Sequence, residues 1–237
     1  MELHLKVAEE ANASSLKPNG HNSTQGKGGK DSVEKEATNA ELCRILNKIG
    51  ALKFGAFKLT SGKVSPYYID LRIVPSFPDV FQRICDLYVK LIKNDIGVNN
   101  LDRIAGIPTA GIPLASLTAY HLKKPFLYIR PTERLHGRER RVEGILLPGN
   151  RVLLMDDLIT SGGSLRRAAE AIRTEGGVVT DALVLLDREE GGKENLAKDN
   201  VKLHYLLKTS EAAYKLCEIG AITEDQLDVI LKQVKRK

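Results

Sequence analysis

Arg151-Val-Leu-Leu-Met-Asp-Asp-Leu-Ile-Thr-Ser-Gly-Gly-Ser164 runs an apolar stretch, two adjacent acids and a hydroxyl- and glycine-rich loop together without a break. The run Val152–Met155 predicts a buried strand that delivers Asp156 and Asp157 at its C-terminal end, where open α/β sheets bind their ligands. Thr160-Ser-Gly-Gly-Ser164 then opens a predicted helix, Leu165–Thr174. Glycines let backbone N–H groups approach a phosphate, hydroxyls add donors, and a helix N-terminus adds positive potential. One short segment therefore combines a phosphate cradle with two acceptors for sugar hydroxyls. A bare Gly-Gly turn after a strand implies no more than a capped helix; this order implies a site.

Working outward, short apolar runs at Arg103–Ile107, Pro125–Arg130 and Ala182–Asp187 read as further buried strands beside Arg151–Asp156. Helical segments fall between them, at 111–122 and 163–175. Strands alternating with helices predict an α/β protein with a central parallel sheet covered on both faces. Pro78 suits the first turn of a helix that places Phe81, Ile84, Cys85, Tyr88, Leu91 and Ile92 on one face. Leu42, Ile45, Leu46 and Ile49 recur at helical spacing before a stop at Gly50. Thr223-Glu-Asp-Gln226 is a capping box opening a last helix with Leu227, Ile230, Leu231 and Val234 inward.

Residues 1–38 have the opposite texture. The stretch 11–33 is rich in Gly, Ser, Asn and Lys, with Leu16 and Val33 as its sizeable apolar anchors, so residues 1–38 are expected to be a disordered extension and 39–237 the domain. The Gly-Lys cluster at 26–30 is not a phosphate loop, because Asp31 stands where Ser or Thr is required. The chain carries a net charge of +6; residues 1–38 hold five lysines and six acids, so the domain is the basic part. A basic body points to anionic partners, either nucleic acid or a small phosphorylated substrate. No apolar run is long enough for a membrane span, and the first ten residues lack the pattern of a secretory signal. Cys43, Cys85 and Cys217 are too widely spaced for a disulfide framework or a zinc site. The expectation is a reduced, cytoplasmic protein that binds no membrane.

The segment 151–164 resembles the phosphoribosyl-pyrophosphate motif of type I phosphoribosyltransferases. That resemblance implies the type I fold with a small N-terminal hood, formed largely by 39–75. It places Asp156, Asp157, Leu158, Ile159, Thr160, Ser161, Gly162, Gly163 and Ser164 on the phosphoribosyl donor, the loop 160–164 on its 5-phosphate and the acid pair on the ribose hydroxyls. Two further stretches narrow the family. Phe57-Lys-Leu-Thr-Ser-Gly-Lys-Val-Ser-Pro-Tyr-Tyr-Ile-Asp-Leu-Arg72 resembles the hood signature of orotate phosphoribosyltransferases, and Leu185-Leu-Asp-Arg-Glu-Glu-Gly-Gly192 is similar to a second motif of that family. The resemblance implies that Tyr68, Thr160 and Arg188 bind orotate, Arg188 through the carboxylate. A guanidinium fork suits a planar carboxylate because it donates two parallel hydrogen bonds.

Tyr128-Ile-Arg-Pro-Thr-Glu-Arg-Leu-His-Gly-Arg-Glu-Arg-Arg141 holds five arginines against two glutamates and follows a predicted strand, as a lid would. It is similar to the family's catalytic loop, with Arg130, Arg134 and His136 implied to meet the pyrophosphate of a neighbouring subunit in a homodimer. Together with Asp156 and Asp157, Arg134 and His136 are the implied catalytic residues. Pro131 and Arg134 stand where the family usually has lysines, and Thr60 where some members carry one; Arg134 keeps the charge but cannot release a proton near neutral pH. Ala105-Gly-Ile-Pro-Thr-Ala-Gly-Ile112, at a strand end, offers small residues whose amides would meet the pyrophosphate. Mg²⁺ is the implied cofactor, carried by the donor's oxygens and water with no dedicated protein ligands. The expected reaction joins orotate to phosphoribosyl pyrophosphate, giving orotidine 5'-phosphate and diphosphate in pyrimidine synthesis. Transfer to another base, or a non-catalytic nucleic-acid-binding regulator on the same fold, stays open at this point, although no nucleic acid is expected as a partner.

Overall fold

The computed structural model describes residues 27–58, 64–130 and 141–235. The described residues from Glu36 onward form one compact unit. The chain opens with α1 (Lys27–Lys48), the strands β1 (Leu52–Lys58) and β2 (Val64–Ile69), a 3-10 turn Leu71–Ser76 and α2 (Pro78–Leu91). Next come β3 (Arg103–Gly106), α3 (Gly111–Leu122), β4 (Phe126–Ile129), β5 (Val142–Glu143), β6 (Arg151–Ile159) and α4 (Gly163–Thr174). Then follow β7 (Val178–Asp187), α5 (Gly192–Lys198), β8 (Lys202–Lys208), α6 (Thr209–Glu218) and α7 (Glu224–Lys235).

Among the described residues six strands form one sheet in the order β5-β4-β3-β6-β7-β8, parallel except for β4 with β5. The period-2 alternation of a strand buried on both faces is plain in β6 and β7. Leu153, Met155, Leu183 and Leu185 join one core cluster, with Leu42, Ile84, Tyr88, Leu114, Leu216 and Ile230. Val152, Leu154, Ala182 and Val184 join the other, with Leu165, Ala169, Ile172 and Leu196. Helices α1, α2, α3, α6 and α7 thus contribute to one face, and α4 and α5 to the other. Both sides of each rung are removed from water, and each buried aliphatic side chain contributes roughly 1.5–3 kcal/mol.

The winding reverses between β3 and β6. From β3 the chain crosses through α3 to β4 on one side; from β6 it crosses through α4 and α5 to β7 and β8 on the other. Such a switch point opens a crevice at the C-terminal ends of the strands. Here β3 keeps register with β6 only to Gly106↔Met155, whereas β6 continues beside β7 to Ile159↔Asp187.

That continuation corrects one expectation: Asp156 and Asp157 lie inside a strand, because β7 still supplies a ladder partner after β3 has left. The strand predicted at Ala182 likewise begins earlier, at Val178, opposite Arg151. The first helix starts at Lys27, eleven residues before the Thr38 at which order was expected. Extending a helix already nucleated costs far less than starting one, and no proline interrupts 27–48. Residues 1–26 lie outside the described residues. In the hood region β1 pairs antiparallel with β2, with an irregularity between Phe54 and Phe57 where Gly55 takes φ 146°. The capping box is formed: the Thr223 amide donates to Gln226 Oε1 at 2.9 Å, and the Gln226 amide donates to Thr223 Oγ1 at 3.3 Å.

Candidate active site

A cleft of about 520 Å³ opens at the switch point. Its walls are Pro108–Ala110 after β3, the run Asp156–Leu165, and the side chains of Arg72 and Arg167. Two separate strand ends and the start of α4 therefore build it, as the topology requires.

Asp156 is buried and Asp157 partly so. The Asp157 amide donates to Asp156 Oδ1 at 2.9 Å, and Tyr88, itself fully buried, donates its hydroxyl to the Asp156 main-chain oxygen at 3.4 Å. Desolvation, then the neighbouring Asp157 charge, drives the Asp156 carboxyl far above its ordinary range. Burial raises Asp157 as well, partly offset by its hydrogen bonds and by Arg72. Both carboxyls are thus biased toward the protonated form, and any cation or hydroxyl donor placed before them favours their ionised form.

Across the cleft, α3 begins hard against the acids. A β-carbon at Gly111 would stand 2.7 Å from the Met155 carbonyl oxygen and 2.9 Å from both Cα and Oδ1 of Asp156. The preceding peptide, Pro108–Thr109, is cis.

The loop 160–164 turns through Gly162 at φ 81°, a left-handed conformation that suits glycine. Gly162 is the N-cap of α4, no side chain caps the helix, and its first turn holds no acid. The first-turn amides thus lack an internal partner at the edge of the cleft. The loop is braced from behind by the 191–192 turn. A β-carbon on Gly192 would meet the Thr160 carbonyl oxygen at 2.5 Å, and Asn195 Nδ2 donates to the Ser161 carbonyl at 3.1 Å.

Arg188 follows β7, and its amide donates to the Ile159 carbonyl at 3.0 Å, which places it beside Thr160. Its guanidinium pairs with Glu190 at 3.0 Å, donates to the Tyr67 hydroxyl at 3.4 Å and lies 5.3 Å from the Tyr67 ring centre. Tyr68, on the opposite face of β2, accepts from Arg72 at 3.1 Å and approaches Phe57 at 5.7 Å between ring centres. The structure therefore brings Arg188 to Tyr67, while Tyr68 is hydrogen-bonded to Arg72, which lines the cleft. Arg130 ends β4, pairs with Glu143 of β5 and donates its amide to the Arg141 carbonyl at 2.8 Å. These contacts fasten both stems of a hairpin; Pro131, Arg134 and His136, like Thr60, lie outside the described residues.

The described residues contain no group of three or more His, Cys, Asp or Glu that could hold a metal ion, and no helix long and apolar enough to cross a membrane. Cys43 and Cys85 are free and buried, and burial pushes both thiols up to about 12.

A model of the phosphoribosyl transferase domain matches residues 76–206. The orotate phosphoribosyltransferase of Cenarchaeum symbiosum (strain A) is 42% identical over 191 residues, which cover 81% of this chain and 94% of that protein. The chain belongs to the orotate phosphoribosyltransferases. It is accordingly an enzyme of pyrimidine metabolism with a type I phosphoribosyltransferase fold. The crystal structure of orotate phosphoribosyltransferase from Aeropyrum pernix aligns with a TM-score of 0.68 at 34% identity, covering 77% of this chain and 99% of that one. The UMP synthase of Leishmania donovani aligns with a TM-score of 0.76 at 28% identity, covering 87% of this chain and 44% of that one.

For an orotate phosphoribosyltransferase the cleft contains three features that the sequence does not announce. Arg72 and Arg167 line it, and Gly111 lets α3 approach the acids. Arg167 lies four residues past Gly163, a helical spacing that was legible, but its lack of an ion pair among the described residues was not. Gly111 was visible only as one of several small residues in 105–112.

Proposed function

We propose that this cleft is where the phosphoribosyl group of phosphoribosyl pyrophosphate passes to orotate. The observation that carries the reading is the convergence, at one switch point, of the adjacent carboxyls Asp156 and Asp157 with an uncapped, glycine-turned helix N-terminus. The loop 160–164 holds the 5-phosphate through backbone amides and hydroxyls. Asp156 and Asp157 face the ribose 2- and 3-hydroxyls, and Pro108–Ala110 meets the pyrophosphate. As the C1–O bond to pyrophosphate lengthens, positive charge develops on the sugar near a carboxyl pair that burial has made costly to ionise without a cation. That interaction strengthens as the charge develops, so it favours the transition state over the bound ground state. The orotate ring nitrogen then forms the C1–N bond, held by Thr160 and by Arg188, whose fork turns from Glu190 to the orotate carboxylate, with Tyr68 hydrogen-bonded to Arg72 of the cleft wall.

The donor set fits Mg²⁺ only as a passenger of the substrate: Asp156 and Asp157 are the cleft carboxylates that face it, through sugar hydroxyls and water. When bound it supplies charge neutralisation at the pyrophosphate oxygens. Arg130, Arg134 and His136 complete that end, contributed by the 130–141 loop of a second subunit. The contacts that pin Arg130 and Arg141 at the base of the segment, beside the edge strand β5, support this reading. The catalytic unit is 39–237, with 39–75 as the hood, and its buried free thiols suit a cytoplasmic setting.

Purified protein with phosphoribosyl pyrophosphate and Mg²⁺, offered orotate, uracil, adenine or hypoxanthine separately, tests the base. Turnover of orotate alone is expected; turnover of a purine and not of orotate overturns the assignment. Mixing an inactive Arg134→Ala variant with an inactive Asp156→Asn variant is expected to restore activity in hybrid dimers. A mixture that stays inactive removes the loop from the partner's cleft.

A further inference from the structure

Arg166 and Arg167 are neighbours on α4 with different fates. Arg166 is committed to Asp199, Nε to Oδ2 at 2.5 Å and Nη2 to Oδ1 at 3.2 Å. Helical side chains lean toward the N-terminus of their helix, so a residue one turn in covers the first turn. Arg167 does this. Its Nη1 lies 3.3 Å from the position a β-carbon on Gly163 would take, and its Nη2 donates to Ser164 Oγ at 3.4 Å. Both of those residues belong to the loop on the cleft wall.

Between the two arginines of the cleft wall, Arg72 and Arg167, the charge balance singles out the second. Arg72, Arg83, Arg130, Arg151 and Arg188 each have a carboxylate within ion-pair distance, as Arg166 does. Arg167 has none among the described residues, and the Ser164 hydroxyl is a weak, neutral partner. Neither cleft acid, Asp156 or Asp157, lies within ion-pair distance of Arg167 among the described residues. The other cleft arginine, Arg72, is neutralised by Asp70 at 2.7 Å. An unneutralised guanidinium in that place leaves the cleft short of one anion.

We propose that Arg167 binds the 5-phosphate of the donor sugar and thereby sets the enzyme's demand for a 5-phosphorylated ribose. The inference rests on the reading of 160–164 as the loop that holds that phosphate. A phosphomonoester dianion has three terminal oxygens. Backbone amides of the α4 first turn and the Ser161 and Ser164 hydroxyls reach it from below, and the Arg167 fork closes over it with two parallel N–H donors. Gly163 matters to this arrangement because a side chain there would press on the guanidinium.

The test separates the two ends of the donor. Dissociation constants of ribose 5-phosphate and of inorganic pyrophosphate are measured for the parent, Arg167→Ala and Arg167→Lys, with melting curves to show that each variant is folded. KM for phosphoribosyl pyrophosphate and kcat are measured alongside. Arg167→Ala is expected to weaken ribose 5-phosphate and raise KM for the donor on the order of tenfold to a hundredfold, the value of a charge-assisted hydrogen bond. Pyrophosphate binding is expected to change by less than about twofold, with Arg167→Lys intermediate. Equal weakening of both ligands, or of neither, overturns the proposal. A parent enzyme that binds pyrophosphate but not ribose 5-phosphate overturns the reading of the loop itself, and this inference with it.

Discussion

Gly111→Ala probes the joint between α3 and the acid pair. The added carbon would stand 2.7 Å from the Met155 carbonyl oxygen, where ordinary contact begins at 3.4 Å, so α3 and β6 must separate by about 0.7 Å. The obstacle is backbone and an acid side chain on one side and a helix start on the other, so no flexible tip can swing away. The same corner is already tight at Gly106, whose own added carbon would lie 2.9 Å from Ile112 Cα. Overpacking of this kind costs about 1–3 kcal/mol, which lowers the melting temperature of a domain this size by roughly 2–12 °C. The functional loss is larger than the structural one. The separation moves Pro108–Ala110 away from Asp156 across the cleft, and a misplacement near 1 Å costs on the order of a hundredfold in rate. Thermal melting together with steady-state kinetics measures both. Gly111→Ala that melts lower yet keeps kcat/KM within about twofold of the parent would show that this contact does not set the acid geometry. An unchanged melting temperature would show that the backbone relaxes without cost.

Asp156→Asn acts on stability with a definite sign. Because the Asp156 carboxyl titrates above its ordinary 3.8, the folded state keeps a proton that the unfolded chain releases, so its share of stability is lost as pH rises from that value through the raised one. The ligand-free variant is therefore expected to melt higher than the parent at pH 7–8, with the gap closing toward pH 4, while transfer activity collapses; a gap independent of pH would refute this. Arg188→Ala is expected to raise KM for orotate on the order of tenfold to a hundredfold and leave KM for the phosphoribosyl donor unchanged. Equal effects on both substrates would move Arg188 out of the acceptor site. Thr223→Ala removes the capping box and is expected to cost about 1 kcal/mol, or roughly 2–4 °C of melting temperature, with kinetics unaltered. A change in kcat would tie α7 to the cleft.

What could be read ahead of the structure followed the strength of local pattern. The apolar strand, acid pair and hydroxyl loop of 151–164 are contiguous, so strand, cradle and helix were legible together, as were α2 from its proline and α7 from its capping box. The ends were less legible: β6 outlasts its apolar run because β7 continues to pair with it, a fact that resides in another segment. β1 was missed because Gly55 and the register shift break its alternation, and β5 because two residues carry no period. Adjacent tyrosines in a strand face opposite ways, and nothing local says which of Tyr67 and Tyr68 meets Arg188. Likewise Arg166 and Arg167 are indistinguishable until Asp199, 33 residues after Arg166, claims the first of them.

The contact between Gly192 and Thr160 bears on how such an enzyme can change its taste. The loop proposed to hold the donor and the turn after Arg188 meet back to back, with no space for even a methyl group on Gly192. Lengthening or decorating the 188–192 turn to suit another base would dislodge the phosphate cradle in the same stroke. Under the proposed roles, donor and acceptor recognition are therefore coupled at this corner, and a change to one is felt by the other.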